Sequence, residues 1–336
     1  MAMTRVVTVT GAGGVGKTTV SAALAIRHAR AGAKTLVVTV DPARRLGQAL
    51  GLAALDRDPH PTGEDGLWAA MLDAEGSWQD IAERHATPEA AARLSDNPFF
   101  DAVARRFPAS QAYAAADTMT REAESGRWDV IVVDTPPSAG GVEFFTAPTD
   151  LLALINGPLI RALTGGGIPG SRALFRVTLA PLLKLADGLL GSAVLEDLTA
   201  FLFDLRTTAD GLTRRAEEID AVQRRSTTIV VTSPDPAAIT EAEHFSDLLP
   251  GVATTPAAVV FNRAVPPEWE AAEVPDEDHP AIAAFGLWAA EARRQRGLRD
   301  ELVDALGVEV TTVPWRAKAP VTLSGLGELL PTGFLP

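Results

Sequence analysis

Gly11, Gly16, Lys17 and Thr18 stand in GAGGVGKTT, residues 11–19, with the spacing Gly-x4-Gly-Lys-Thr. Residues of these types at this spacing bind phosphate. The glycines let the backbone curl until several N–H groups point at one anion. The lysine carries a cation to the β- and γ-phosphates, and the threonine offers a hydroxyl to Mg²⁺. The loop follows an apolar run, RVVTVT (5–10), and precedes an Ala-rich helical pattern that closes at Gly32. A helix N-terminus placed there adds its partial positive charge. Two carboxylates end similar apolar runs: Asp41 follows KTLVVTV (34–40), and Asp134 closes WDVIVVD (128–134). In phosphoryl-transfer sites a strand-end acid helps hold Mg²⁺ and another polar group orients the attacking water. A strand-end aspartate is also a common helix N-cap, and that alternative stays open for both.

These residues must be positioned by strands and helices. Further β-branched runs are TTIVVTS (227–233), AAVVFN (257–262) and VEVTTVP (308–314). They are nearly continuous in apolar residues, as strands buried on both faces are. Helical patterns at 17–31, 241–249 and 281–306 lie between them, and this alternation predicts an α/β fold with a mostly parallel sheet wrapped by helices. Such sheets bind ligands beyond the carboxyl ends of their strands. Gly11, Asp41, Asp134, Ser233, Asn262 and Pro314 all fall at or just after such ends. Two stretches break the alternation. Residues 56–127 offer no strand candidate and read as helices. Residues 146–225 are also helical, with Leu182, Leu185 and Leu189, then Leu195, Leu198, Leu202 and Leu205, at helical spacing. The reading is a discontinuous P-loop core (1–55, 128–145 and 226–336) and an α-helical subdomain built from two insertions (56–127 and 146–225).

The 336 residues carry a net charge of −13 and no cysteine. The acidic balance argues against a nucleic-acid backbone or an anionic membrane as main partner. Without thiols there is no disulfide, no Cys-based zinc site and no iron–sulfur cluster. The five histidines show no metal-ligand spacing. The start, MAMTRVVTVT, lacks a signal-peptide pattern, and the apolar region 150–205 is interrupted by prolines and charges. The expectation is a cytoplasmic protein with no permanent membrane insertion.

GAGGVGKTT, DPARRL, DTPPS and FNR, in that order and with helical insertions after the second and third predicted strands, resemble the ArsA-type ATPases. The resemblance covers nearly the whole chain and is closest to actinobacterial anion-transporting-ATPase-like members. It implies Mg-ATP binding and hydrolysis by a dimeric switch. Residues Gly11, Ala12, Gly13, Gly14, Val15, Gly16, Lys17, Thr18 and Thr19 would cradle the phosphates. Asp41 would polarise the attacking water, with Lys17 as its catalytic companion. Thr18, Asp41 and Asp134 would serve Mg²⁺, the acids through water. Asn262, with Arg263, would recognise adenine, and Pro314 would lie in the loop over the base. Asn262 as a turn residue and Pro314 as a simple chain redirection are the alternatives.

The sequence departs from that family at three points. Its deviant loop has a signature lysine that reaches into the partner's site, and here that place holds Ala12. Either Ala12 is a harmless small residue in an ordinary monomeric P-loop, or the protein is a homodimer that manages without the lysine, or it pairs with a lysine-bearing paralogue. It lacks the thiolates that soft metalloids prefer, so no arsenite or antimonite activation is expected. In relatives the second insertion forms a groove for a hydrophobic helix. Leu183, Leu185, Leu189, Leu190, Phe201 and Leu202 would line such a groove or form the subdomain's own core. Competing functions are a catalytically weak regulatory subunit, supported by Ala12, and a ParA/MinD-like positioning ATPase, which the acidic balance and the large insertions fit poorly.

Overall fold

A computed structural model describes residues 3–40, 45–106, 108–135, 142–155, 157, 192–252, 255–275 and 279–335. Contacts divide the chain into two compact units. One comprises Met1–Leu72, Met119–Phe145 and Val222–Pro336, the other Asp73–Thr118 and Thr146–Ala221.

The first unit is built on a sheet of β1 (Arg5–Gly11), β2 (Thr35–Thr39), β3 (His60–Pro61), β4 (Leu67–Met71), β5 (Val130–Asp134), β6 (Thr227–Thr232), β7 (Ala258–Ala264) and β8 (Glu309–Pro314). Their order is β3-β4-β2-β5-β1-β6-β7-β8. All neighbours run parallel except β3, which is antiparallel to β4. The described helices are α1 (Lys17–Arg30), α2 (Arg45–Ala49), α3 (Ala74–His85), α4 (Pro88–Ser95), α5 (Pro98–Arg106), α6 (Pro108–Glu124), α7 (Val142–Ile155), α8 (Ser192–Thr207), α9 (Ala209–Arg224), α10 (Pro236–Val252), α11 (Pro280–Leu306) and α12 (Leu323–Gly327).

The six strands expected from β-branched runs are present. The reading of 56–127 as free of strands is corrected by β4 and the short β3. LWAAM has no β-branched residue, so its composition points to helix. Pairing decides otherwise: Leu67 to Met71 lie in register with Thr35 to Thr39, and Leu67, Ala69 and Ala70 are buried. Strand formation here reflects fit to a half-buried surface rather than intrinsic preference.

Val7 and Val9 of β1, Val37, Val132 and Val231 form the apolar face that packs on Val20 and Leu24 of α1. The segment after β8 closes this core. Leu326, Leu329, Leu330 and Phe334 are buried in it. Arg27 of α1 donates to the carbonyls of Leu330 (2.7 Å), Pro331 and Phe334 (3.2 Å). The opposite face receives α10, whose Phe245 lies 6.1 Å from Phe145.

The second unit is helical throughout its described part. Trp78 stacks on Tyr113 at 5.4 Å and donates its indole N–H to Ser110 O. Asp117 is fully buried between two arginines, Arg84 at 2.7 Å and Arg215 at 2.6 Å. Phe201 and Leu205 are buried in this unit, whereas Leu182, Leu183, Leu185, Leu189 and Leu190 lie outside the described residues. Among the described residues no helix is long and apolar enough to cross a membrane.

Candidate functional site

The carboxyl ends of β1, β5 and β7 meet at one edge of the sheet. β1 ends in Gly11, at φ 138°, where a Cβ would lie 2.0 Å from Val231 O of β6. Only glycine fits that approach. The loop then turns through Gly14 and Gly16, both at positive φ, and Gly16 caps α1 without any side-chain hydrogen bond. With no side chain, Gly16 leaves room for an anion at the start of α1. Nothing lies within 4 Å of where a Cβ would stand on Gly13 or Gly14.

Lys17 is the first residue of α1 and is buried. Its Nζ donates to Gly11 O at 2.8 Å and Ala12 O at 2.9 Å. The ammonium is thus held over the loop by the loop's own carbonyls. Ala12 is 5% exposed, and its methyl belongs to the core beneath α1.

Asp134 closes β5 and is 1% exposed. Its Oδ2 accepts from Thr18 Oγ1 (2.8 Å) and Thr39 Oγ1 (2.9 Å), and its Oδ1 from Ser21 Oγ (3.3 Å). Burial raises its pKa from the ordinary 3.8 to about 6, against the pull of Thr18, Thr39, Lys17 and Ser21 in the other direction. A carboxylate still short of positive charge, beside a hydroxyl at 2.8 Å, is a hard-oxygen donor set of the kind Mg²⁺ takes. The residues present fit that ion.

The far side of the loop is fixed from β7. Asn262 is buried; its Nδ2 donates to Val15 O at 2.7 Å and its Oδ1 accepts from Arg263 N at 3.0 Å. A Cβ on Gly16 would come within 2.3 Å of that Nδ2. Arg263 sits at φ 61°, in a β-bulge between Asn262 and Ala264, and its Nη1 donates to Gly14 O at 2.9 Å. A non-glycine residue at left-handed φ costs about 1–2 kcal/mol and is held there by its surroundings. Pro314 ends β8 opposite Ala264, whose carbonyl accepts from Trp315 N at 2.7 Å. Trp315 is 56% exposed at this edge.

The structure therefore brings Gly11–Thr18, Asp134, Asn262 and Arg263 together. Thr19 lies half-buried in the first turn of α1. Asp41 lies outside the described residues, as do the last three residues of DTPPS, 136–138. Two partners of Asp134 were missed by sequence reasoning. Thr39 is the strand-end residue in register with it. Ser21 stands four residues after Lys17, so helical spacing alone could have placed its hydroxyl on the loop side of α1.

The family model described as anion-transporting ATPase matches residues 4–276. The chain is similar to ATPase get3 of Aspergillus terreus, 32% identical over 177 residues, which are 49% of this chain and 52% of that protein. It is also similar to ATPase GET3 of Ajellomyces dermatitidis, 30% identical over 183 residues, 51% of this chain and 54% of the relative. The match thus spans about half the length of each relative.

Proposed function

Because the chain belongs to the anion-transporting ATPase family, we propose that it binds Mg-ATP at this sheet edge and hydrolyses it as a dimeric switch. One observation carries the reading: Lys17 of the phosphate loop and the Thr18–Asp134 pair meet at the end of β1 and β5. In this reading residues 11–19 hold the phosphates through backbone N–H groups, and Lys17 leaves its loop carbonyls for the β- and γ-phosphates. Thr18 and Asp134, with Asp41, would hold Mg²⁺, and the ion would supply charge neutralisation for the phosphate oxygens. Asp41 polarises the attacking water. Asn262 and Arg263, already tied to loop carbonyls, place the adenine end in fixed relation to the phosphate end, and Pro314 borders the base. A hydrophobic-helix client rests on the apolar run of the second insertion alone. The absence of cysteine supports a protein not activated by arsenite or antimonite. Stimulation of turnover by micromolar metalloid would refute that.

Ala12 favours a second reading. Its methyl is in the core, and no cation from this position reaches a partner's nucleotide. The chain would then be a catalytically weak subunit beside a lysine-bearing paralogue. Steady-state Mg-ATP hydrolysis by the purified protein, with Asp41→Asn as blank and nucleotide binding read in the same sample, decides between them. Turnover lost in the blank supports the switch ATPase. Tight binding without turnover supports the weak subunit. Failure to bind nucleotide sinks both.

A further inference from the structure

We infer that His85 is an acid-sensitive wedge in the helical unit. Neutral, it lets α3, α6 and α9 close around one buried ion cluster; protonated, it releases them. The cluster is Asp117 of α6 between Arg84 of α3 and Arg215 of α9. Arg215 also pairs with Glu218 of its own helix at 2.7 Å. These two positive and two negative charges balance. Asp117 is fully buried, and each of its carboxylate oxygens already accepts from a guanidinium.

His85 lies against this cluster. Its Nε2 is buried and has no hydrogen-bond partner, and the same holds for Oη of Tyr113, a residue of α6 that is 1% exposed. Both side chains feel the charges of Arg84, Asp117, Arg215 and Glu218. Helices α4 and α5 also pack on α3, and their described residues add no charge to those that act on His85. The ring also lies on the backbone of α9 at Gly211. A Cβ there would stand 2.9 Å from His85 Cβ and Nδ1, so the imidazole fills the gap that glycine leaves.

In the tautomer protonated at Nδ1, the neutral imidazole leaves Nε2 an unpaired acceptor, which is a modest cost. A second proton makes Nε2 a charged donor with nothing in reach to accept from it. It also adds a third positive charge to a balanced cluster, in a place poor in water. Burial, and after it the charge of Arg84, already holds the imidazole below its ordinary pKa of 6.5, against the pull of Asp117. The open chain takes up the proton at about 6.5, and the folded unit only at lower pH. The helical unit is thus fully stable above pH 6.5 and loses stability as pH falls from there towards the lowered value. The device goes beyond the ATPase reading and does not rest on it: acid rather than hydrolysis works it, and it needs no nucleotide.

Hydrogen–deuterium exchange of the whole chain without nucleotide, from pH about 7.5 to about 5.5 and corrected for the intrinsic rate, reads such local opening. Opening of α3 and α9 should rise by up to about tenfold for each pH unit below 6.5. His85→Gln keeps a neutral polar side chain at every pH. In that variant α3 and α9 should match wild type at the upper end of the range and then stay flat. Helix α1 should keep its own response to acid in both proteins, because it carries His28. Whether or not the variant folds, the His85 imidazole of wild type, followed by NMR, should titrate below 6.5. Opening of α3 and α9 that does not change with pH, a His85→Gln variant that keeps the wild-type response there, or a His85 that titrates at or above 6.5 would overturn the inference.

Discussion

Asp134→Asn should raise the stability of the nucleotide-free protein while abolishing turnover. The native carboxyl holds its proton with a pKa of about 6, against 3.8 ordinarily. Its contribution to stability is therefore intact below pH about 4 and is lost as pH rises through about 6. Above that, ionising it in the folded state costs about 3 kcal/mol. Asparagine keeps the shape and removes the charge. Its oxygen can retain the Thr18 and Thr39 hydroxyls, and its amide can donate to Ser21 Oγ, which also has Lys17 O as partner. The rearranged hydrogen bonds should cost about 1 kcal/mol. A net gain of about 2 kcal/mol follows at pH 8, passes through zero between pH about 4 and about 5 and turns into a loss of about 1 kcal/mol at lower pH. Thermal melts with EDTA and no nucleotide, at several pH values between these, measure it. Added Mg-ATP should stabilise wild type and not the variant. If the variant is less stable than wild type by the same margin at pH 8 and pH 5, the argument from burial is wrong.

Three further outcomes are expected. Gly16→Ala places a Cβ 2.3 Å from Asn262 Nδ2 at φ 102°; nucleotide affinity should fall by tenfold or more, about 1.4 kcal/mol, in a titration with a fluorescent analogue while the fold survives by circular dichroism. Asp117→Ala leaves Arg84 and Arg215 without their shared buried carboxylate. Urea unfolding of the helical unit should then show a loss of about 3–5 kcal/mol. His28 is 2% exposed, and burial, followed by the charge of Arg5, lowers its pKa to about 4. It is neutral in the native state, so stability is lost as pH falls from 6.5 towards about 4, by roughly 3 kcal/mol. His28→Leu should flatten the stability profile across that window.

The parts of the fold that could be read in advance are those whose signal is local. The phosphate loop is one contiguous pattern with a mechanism, and Asp134 and Asn262 each close a β-branched run. β4 could not be read, because LWAAM becomes a strand only by pairing with β2. Thr39 and Ser21 are ordinary residues until β2, β5 and α1 set their hydroxyls on one carboxylate. Arg27 shows no partner in sequence because it binds backbone carbonyls of the segment after α12. The Arg84–Asp117–Arg215 pairing joins α3, α6 and α9, and no periodicity links charges so far apart.

The position of β1 has a consequence for biosynthesis. β1 lies inside the sheet, between β5 and β6, and its partners are Val130 to Asp134 on one side and Thr227 to Val231 on the other. A ribosome makes β1 first and those partners far later. Until they arrive, an apolar strand with unpaired edges is exposed, a species prone to aggregate. The phosphate loop, which needs Val231 packed against Gly11 and Asn262 against Gly16, takes its final shape only after β7 has been made. Nucleotide binding by nascent chains of increasing length should therefore switch on late, and retention of a fluorescent ATP analogue would time the closing of the sheet.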